Sequence, residues 1–420
     1  MTSDPAATDP RALDPAADRA PESPRGTPAL LACLALAHGL SDGSAGWLLA
    51  GLPVRQPLAA VTGMVLLYNG LAFGLQPAFG WLLDRRGKMA GALVGSLLLM
   101  AAALGLGGQP WTAVALAGLA SGWFHVAAGA LSLRATPRRA LGPGVFAAPG
   151  VLGLALGGWA ALRGVDARPL LLPALAGMAV LAWIAARRTR MDQALRQPEL
   201  ALTEAKSAGQ ANAAEDADDP AGVGPPLLDD HDLLMLLLLS AIALRSAIWT
   251  LADIAWQGRG SGLLAIALAA AVGKLAGGWL ADKVGWRRWT LGAALAAVPL
   301  LVWGGRRLWT LLPGIALLQS STPVMLAVVA RRLPARPALA SGLVLGLAIL
   351  LGGLTARGLP ADLAWPRAAL PLGIGLLLLL AVGLARATPG ATESDSHEIA
   401  AGSRGEADQV RCVLDPCNDC

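Results

Sequence analysis

The chain reads as an all-α polytopic membrane protein of twelve transmembrane helices in two six-helix repeats, and three observations predict this. The first is composition: of 420 residues, 55% are hydrophobic and only 15% charged, with a mean hydropathy of +0.56. A soluble domain carries about a quarter charged residues. The second is a series of apolar segments, most near the length of about 20 residues that crosses a hydrocarbon core about 30 Å thick. The third is an internal echo. Gly80-Trp-Leu-Leu-Asp84-Arg-Arg-Gly87-Lys88 returns as Gly278-Trp-Leu-Ala-Asp282-Lys-Val-Gly285, and 278 − 80, 282 − 84 and 285 − 87 all equal 198. Similarity at one fixed offset marks a duplicated unit.

In chain order, residues 1–27 are rich in Pro, Ala and Asp and lack the basic start of a signal peptide, so a disordered cytoplasmic tail is expected. Residues 28–187 form a first bundle with apolar segments at 29–51, 58–83, 89–107, 111–134, 142–162 and 168–187. Residues 188–230 have no hydrophobic period and carry Glu215, Asp216, Asp218, Asp219, Pro220, Pro225 and Pro226, the composition of a cytoplasmic linker. Residues 231–388 form the second bundle, with segments at 232–256, 260–282, 288–304, 308–332, 337–354 and 366–387. The tail, 389–420, is expected to be disordered and holds Cys412, Cys417 and Cys420, with His397 upstream. That spacing fits no standard zinc module, so an inert or redox-labile tail is favoured over a metal site.

Lys and Arg crowd alternate loops: Arg85, Arg86 and Lys88; Arg134, Arg138 and Arg139; Arg187, Arg188, Arg190 and Arg196; Lys283, Arg287 and Arg288; Arg331, Arg332 and Arg336. The intervening loops carry scattered arginines such as Arg55, Arg163 and Arg259. The positive-inside rule then places a multi-pass protein in the cell membrane with both termini in the cytoplasm. The net charge of +5 follows from this topology and does not point to nucleic acid.

Ionisable groups inside a span must face a cavity or a partner. His38 and Asp42 lie one turn apart on the first span and suit the holding and passing of a proton, or else a packing hydrogen bond. His125 lies nine residues before Arg134, about 14 Å from the cytoplasmic end at helical rise, and Lys274 lies eight residues before Asp282, about 12 Å by the same count. Both depths are near the midplane, where transporters bind substrate. Lys274 equally suits neutralisation of Asp42 or Asp253. Arg245, Trp249 and Asp253 recur every four residues; Arg suits a bidentate oxyanion and Trp an apolar or cation-stacking wall, against a plain Arg–Asp contact. The offset also pairs Gln76 with Lys274, His125 with Pro323 beside the polar run Gln319-Ser-Ser-Thr322, and Gly144 with Gly342. Asn69, Gln76, His125, Arg245, Trp249, Lys274 and Gln319 are the expected substrate-cavity residues, Asn69 on the strength of the family-like stretch given below.

The repeated loop resembles that of the major facilitator superfamily, Gly-x-x-x-Asp-(Arg/Lys)-x-Gly-(Arg/Lys)-(Arg/Lys), with Gly80, Asp84, Arg85, Gly87 and Lys88 matching and Met89 in the last basic place. The second copy keeps Gly278, Asp282, Lys283 and Gly285, with Trp286 interrupting before Arg287 and Arg288. The resemblance covers about residues 28–388 and implies a conformational gate at these nine matching positions. Asp at a helix end facing a neighbouring helix N-terminus contributes about 0.3–1 kcal/mol when exposed and up to about 2 when partly buried, enough to bias two access states. His38-Gly-Leu-Ser-Asp42, Tyr68-Asn69-x-Leu-Ala-Phe73-Gly74-x-Gln76-Pro77 and Phe124-His125 look like the fosmidomycin-resistance-type branch. In that branch the implied activity is proton-driven export of a small compound. Gly142-Pro143-Gly144, Pro149-Gly150, Gly153 and Gly157-Gly158 resemble an antiporter motif and read physically as a bent, closely packed helix.

The expectation is a monomeric, proton-coupled secondary exporter of a small molecule, an anion or a drug, with no cofactor. A proton-coupled uptake symporter, or a transporter-like sensor acting through the Cys tail, are the alternatives. No Walker-type loop, His-Glu-x-x-His or Gly-x-Ser-x-Gly stands in the sequence, which argues against ATP-driven transport and familiar hydrolases.

Overall fold

A computed structural model describes residues 27–106, 108–188, 230–256, 262–304, 307–357 and 369–387. The first stretches form α1 (Thr27–Ala50), α2 (Leu58–Arg86), α3 (Met89–Gly105), α4 (Pro110–Ala135), α5 (Leu141–Leu162) and α6 (Arg168–Arg188). After the linker come α7 (Asp230–Trp256), α8 (Gly262–Val284), α9 (Trp286–Gly304), α10 (Leu308–Arg332), α11 (337–357) and α12 (Ala369–Ala387). The N-terminal tail, the linker and the Cys-bearing tail lie outside the described residues.

Eight of the described helices are long and apolar enough to cross a membrane: α2, α4, α5, α6, α7, α8, α10 and the Pro337–Leu354 part of α11. The other four described helices, α1, α3, α9 and α12, fall short of that measure for local reasons. His38 and Asp42 dilute the apolar character of α1, and Arg287 and Arg288 that of α9. Met89–Gly105 and Leu370–Leu384 are apolar but shorter.

Helix irregularities follow from particular residues. Pro77 has no N–H to return to the preceding turn, and α2 widens into a π turn over Gly70–Gly74 just before it. A second π turn, Gly342–Leu347, interrupts α11. α2 and α8 both stop at glycines in the left-handed region, Gly87 (φ +65) and Gly285 (φ +100), each donating its N–H to the carbonyl four residues back.

Between apolar helices in lipid, close van der Waals packing replaces the hydrophobic drive, and small residues permit it. The α1–α5 seam is built this way. A Cβ at Gly153 would collide with the Gly39 carbonyl oxygen, one at Gly157 with that of Gly43, and one at Gly46 with that of Leu154. Gly273 and Gly277 play the same part on α8 against Ala316 and Ser320 of α10. At the helix ends, basic side chains lie over tryptophans four residues earlier: Arg85 over Trp81, Arg163 over Trp159, Arg187 over Trp183 and Lys283 over Trp279. These four tryptophans are 40–47% exposed, as suits an interfacial belt.

Candidate functional site

His38 on α1, His125 on α4 and Asp42 on α1 converge. His38 Nδ1 donates to the Phe146 carbonyl on α5 at 2.8 Å, and His125 Nδ1 to the Ser121 carbonyl one turn back at 2.8 Å. A carbonyl can only accept, so each neutral ring carries its proton on Nδ1 and presents a bare Nε2. Those two Nε2 atoms stand 3.1 Å apart. Two facing lone pairs at that distance repel, and one proton between them turns the contact into an N–H···N hydrogen bond. Asp42 sits alongside, with Oδ2 3.2 Å from His38 Nε2 and Oδ1 3.7 Å from His125 Nε2. The three groups can therefore hold one proton, with the carboxylate balancing its charge. The pocket is shaped for the ring: Phe146 stacks on His38 with centroids 4.5 Å apart, and a Cβ at Gly150 would enter the imidazole.

Opposite lies a second group of polar residues. Arg245 on α7 is 96% buried, and its Nη1 donates to Gln319 Oε1 on α10 at 2.7 Å. Its Nε has no acceptor among the described residues. Lys274 on α8 donates to the Ala147 carbonyl at 3.4 Å, and no carboxylate among the described residues lies within ion-pairing distance of either cation. Together with Trp249 and Thr322 these groups face the histidines across a cavity of about 150 Å³, walled further by Phe73, Val151, Leu154, Leu345 and Ile349.

Of the seven residues expected at the cavity, His125, Arg245, Trp249, Lys274 and Gln319 line it; Asn69 and Gln76 are not among its walls. Asn69 Nδ2 donates to the Val65 carbonyl and Gln76 Nε2 to that of Ala72, each four residues back on its own helix. Lys274 makes no ion pair with Asp42, and the side chain of Asp253 lies outside the described residues. Thr322 and the clustering of His125 with His38 were not anticipated. The former was signalled by the polar run on α10, while the latter depends on how α1 and α4 pack.

The repeated loops make matched contacts. Asp84 accepts N–H bonds from Ala338 (3.1 Å) and Leu339 (2.8 Å) at the start of α11, and Asp282 from Ala140 (2.7 Å) and Leu141 (2.9 Å) at the start of α5. Every one of these partners is related to its counterpart by 198 positions. Gly80 and Gly278 allow the approach, since a Cβ on either would meet the Ala338 or Ala140 carbonyl. The interrupting Trp286 donates its Nε1–H to Asp282 at 2.8 Å, and Arg331 lies over its ring at 3.7 Å. Arg85 and Lys283 are committed to their tryptophans, and Lys88 is exposed beside the start of α3. The arginine-rich end is thus closed by two anchors.

No known sequence family matches the chain, and no curated protein does. Solved structures do. A variant of the E. coli fucose:proton symporter FucP superposes with a TM-score of 0.57 at 12% identity, over 86% of this chain and 98% of that one. FucP in the outward conformation, described as a Major Facilitator Superfamily transporter, gives 0.57 at 14% identity over the same shares. This chain has the major facilitator fold. Within that fold, the His–His–Asp group and the Arg–Lys group sit on the first-half and second-half walls of the same cavity.

Proposed function

We propose that the chain is a proton-coupled secondary transporter of a small molecule, working by alternating access between a first six-helix bundle (28–187) and a second (231–388). The observation that carries the reading is the pair of bare Nε2 atoms 3.1 Å apart beside Asp42, a proton-holding group at the wall of a cavity between the halves. The reciprocal Asp84 and Asp282 anchors support the pseudo-repeat, in which α1, α3, α9 and α12 complete the spans despite their shorter or more polar character.

Coupling follows from shared backbone. His38 holds the Phe146 carbonyl, and the next carbonyl along α5, Ala147, accepts from Lys274 of the second half. On α4, the backbone carbonyl of His125 accepts from Ser341 Oγ of α11 at 3.2 Å. Loss of the shared proton separates the two imidazoles and strains both cross-half contacts, so occupancy of the proton site biases which end opens. The charge bias puts the arginine-rich end in the cytoplasm of a cell-membrane protein, so closure of that end corresponds to an outward-facing state. Symport is favoured over export, because the structurally similar FucP is a fucose:proton symporter; export rests on three short stretches resembling the fosmidomycin-resistance-type branch.

The test is solute-driven proton flux in proteoliposomes with an internal pH dye. A transported solute acidifies the lumen with the wild type and fails to do so with Asp42→Asn, while solute exchange at equal pH survives. Uphill accumulation undiminished by Asp42→Asn, or solute flux without proton flux, overturns the reading.

A further inference from the structure

The second-half wall of the cavity holds two cations and no described carboxylate. Arg245 is buried, committed to Gln319 through Nη1 alone, and its Nε lacks any described acceptor. A guanidinium N–H buried without an acceptor is costly, and it persists where a ligand supplies the missing atom. The free edge of a guanidinium matches the two oxygens of a carboxylate. Lys274, Gln319 and Thr322 line the same cavity, the last two joined by a 3.2 Å hydrogen bond from Thr322 Oγ1 to Gln319 Oε1. That bond and the one from Nη1 fix the amide as an acceptor toward Arg245, which holds the guanidinium in one orientation.

Charge arithmetic points the same way. With both histidines neutral, Arg245 and Lys274 contribute two positive charges to the lining and Asp42 one negative. One anion balances the remainder. Apart from Ser246, whose hydroxyl donates to the Ile349 carbonyl at 3.1 Å, the rest of the lining is apolar, with Phe73, Val151, Trp249, Leu345 and Ile349 prominent in it. A cavity of about 150 Å³ accommodates a body about the size of benzene.

Resting on the transport reading above, we propose that the substrate is a small monocarboxylate with a compact apolar body, its carboxylate held by Arg245 and Lys274 and its apolar part against Trp249. The site selects by charge first and by shape second. A neutral amide of the same outline offers the guanidinium one oxygen instead of two and no charge to balance it, and binds weakly.

The test is equilibrium binding to the purified full chain, followed by tryptophan fluorescence and by thermal midpoint at constant pH and ionic strength. Benzoate and 3-methylbutanoate are compared with benzamide and L-fucose. The carboxylates are expected to bind at least ten times more tightly than the neutral compounds, and Arg245→Gln to remove that preference. Lys274→Gln, at a partly buried position, gives a second reading if Arg245→Gln fails to fold; it should weaken carboxylate binding while leaving benzamide unchanged. Equal or tighter binding of the neutral compounds, no binding of either carboxylate, or full retention of carboxylate preference in the folded variants overturns the proposal. None of those results touches proton coupling, which the Asp42→Asn flux experiment reads separately.

Discussion

At the scale of single residues, the protonation group turns on His125 as much as on His38. Replacing His125 by Gln removes the second bare Nε2, and the amide cannot share a proton as an imidazole does. Uphill accumulation driven by a pH gradient is expected to fall by at least about tenfold, equivalent to about 1.4 kcal/mol of lost coupling, with the protein still folded. Wild-type accumulation by His125→Gln would remove this residue from the proton site. The exposed Asp166 is no rival source of pH dependence. Its carboxylate accepts from the Arg168 side chain at 2.8 Å through both oxygens and from the Arg168 N–H at 3.2 Å, which together lower it to about 2. Because the folded value is depressed, any contribution it makes is present above the ordinary Asp value of about 3.9 and is lost only as pH falls through about 2. Transport by Asp166→Asn should therefore follow the wild-type profile over the range of about pH 5–8 in which histidines titrate. His38 and Asp42 were legible together in the sequence because a spacing of four fixes neighbours on a helix. His125 was legible only as a polar residue at midplane depth; its contact spans 87 residues and is set by α1–α4 packing. Asn69 and Gln76 misled for the opposite reason, since an amide in a helix can satisfy itself on the carbonyl one turn back.

At the scale of elements, glycines divide into those that a neighbour forbids to grow and those that stand free. Gly153 faces the Gly39 carbonyl across the α1–α5 seam, so Gly153→Leu forces the helices apart. A destabilisation of about 1–3 kcal/mol is expected, visible as a lower thermal midpoint, and the His38–Phe146 contact in the same seam goes with it. Gly95 on α3 has nothing within 4 Å of where a Cβ would stand. Gly95→Ala is expected to be neutral or stabilising by up to about 1 kcal/mol through helix propensity. Equal losses in the two variants would show that the seam is looser than its geometry states. The glycine pattern on α5 announced a closely packed helix in the sequence; its partner was hidden, because α1 lies about a hundred residues away.

At the scale of the whole molecule, the duplicated loop was the most informative part of the sequence, since a fixed offset survives where side-chain contacts cannot be read. The apolar periods located the helices, yet the polar contacts between halves come from residues that carry no period. Asp84 and Asp282 are the clearest of these. Each carboxylate caps a helix of the opposite half with two N–H bonds, and the two share no partner. Replacing a capping Asp by Ala costs about 0.5–2 kcal/mol, typically about 1, and independent sites add. Asp84→Ala and Asp282→Ala should each shift the balance of closed over open arginine-rich end by about fivefold, and the double variant by about 30-fold. Spin labels at Pro137 and Ala335, both exposed in the loops before α5 and α11, would report the change as a longer distance component, in a background where Cys33, Cys412, Cys417 and Cys420 are serine. If the double variant keeps the single short distance, closure is carried by the glycine contacts of α2 with α11 and α8 with α5. If one single variant opens the end as fully as the double, the two anchors are unequal despite their matched geometry, and Trp286, which reinforces only Asp282, is the difference to remove next.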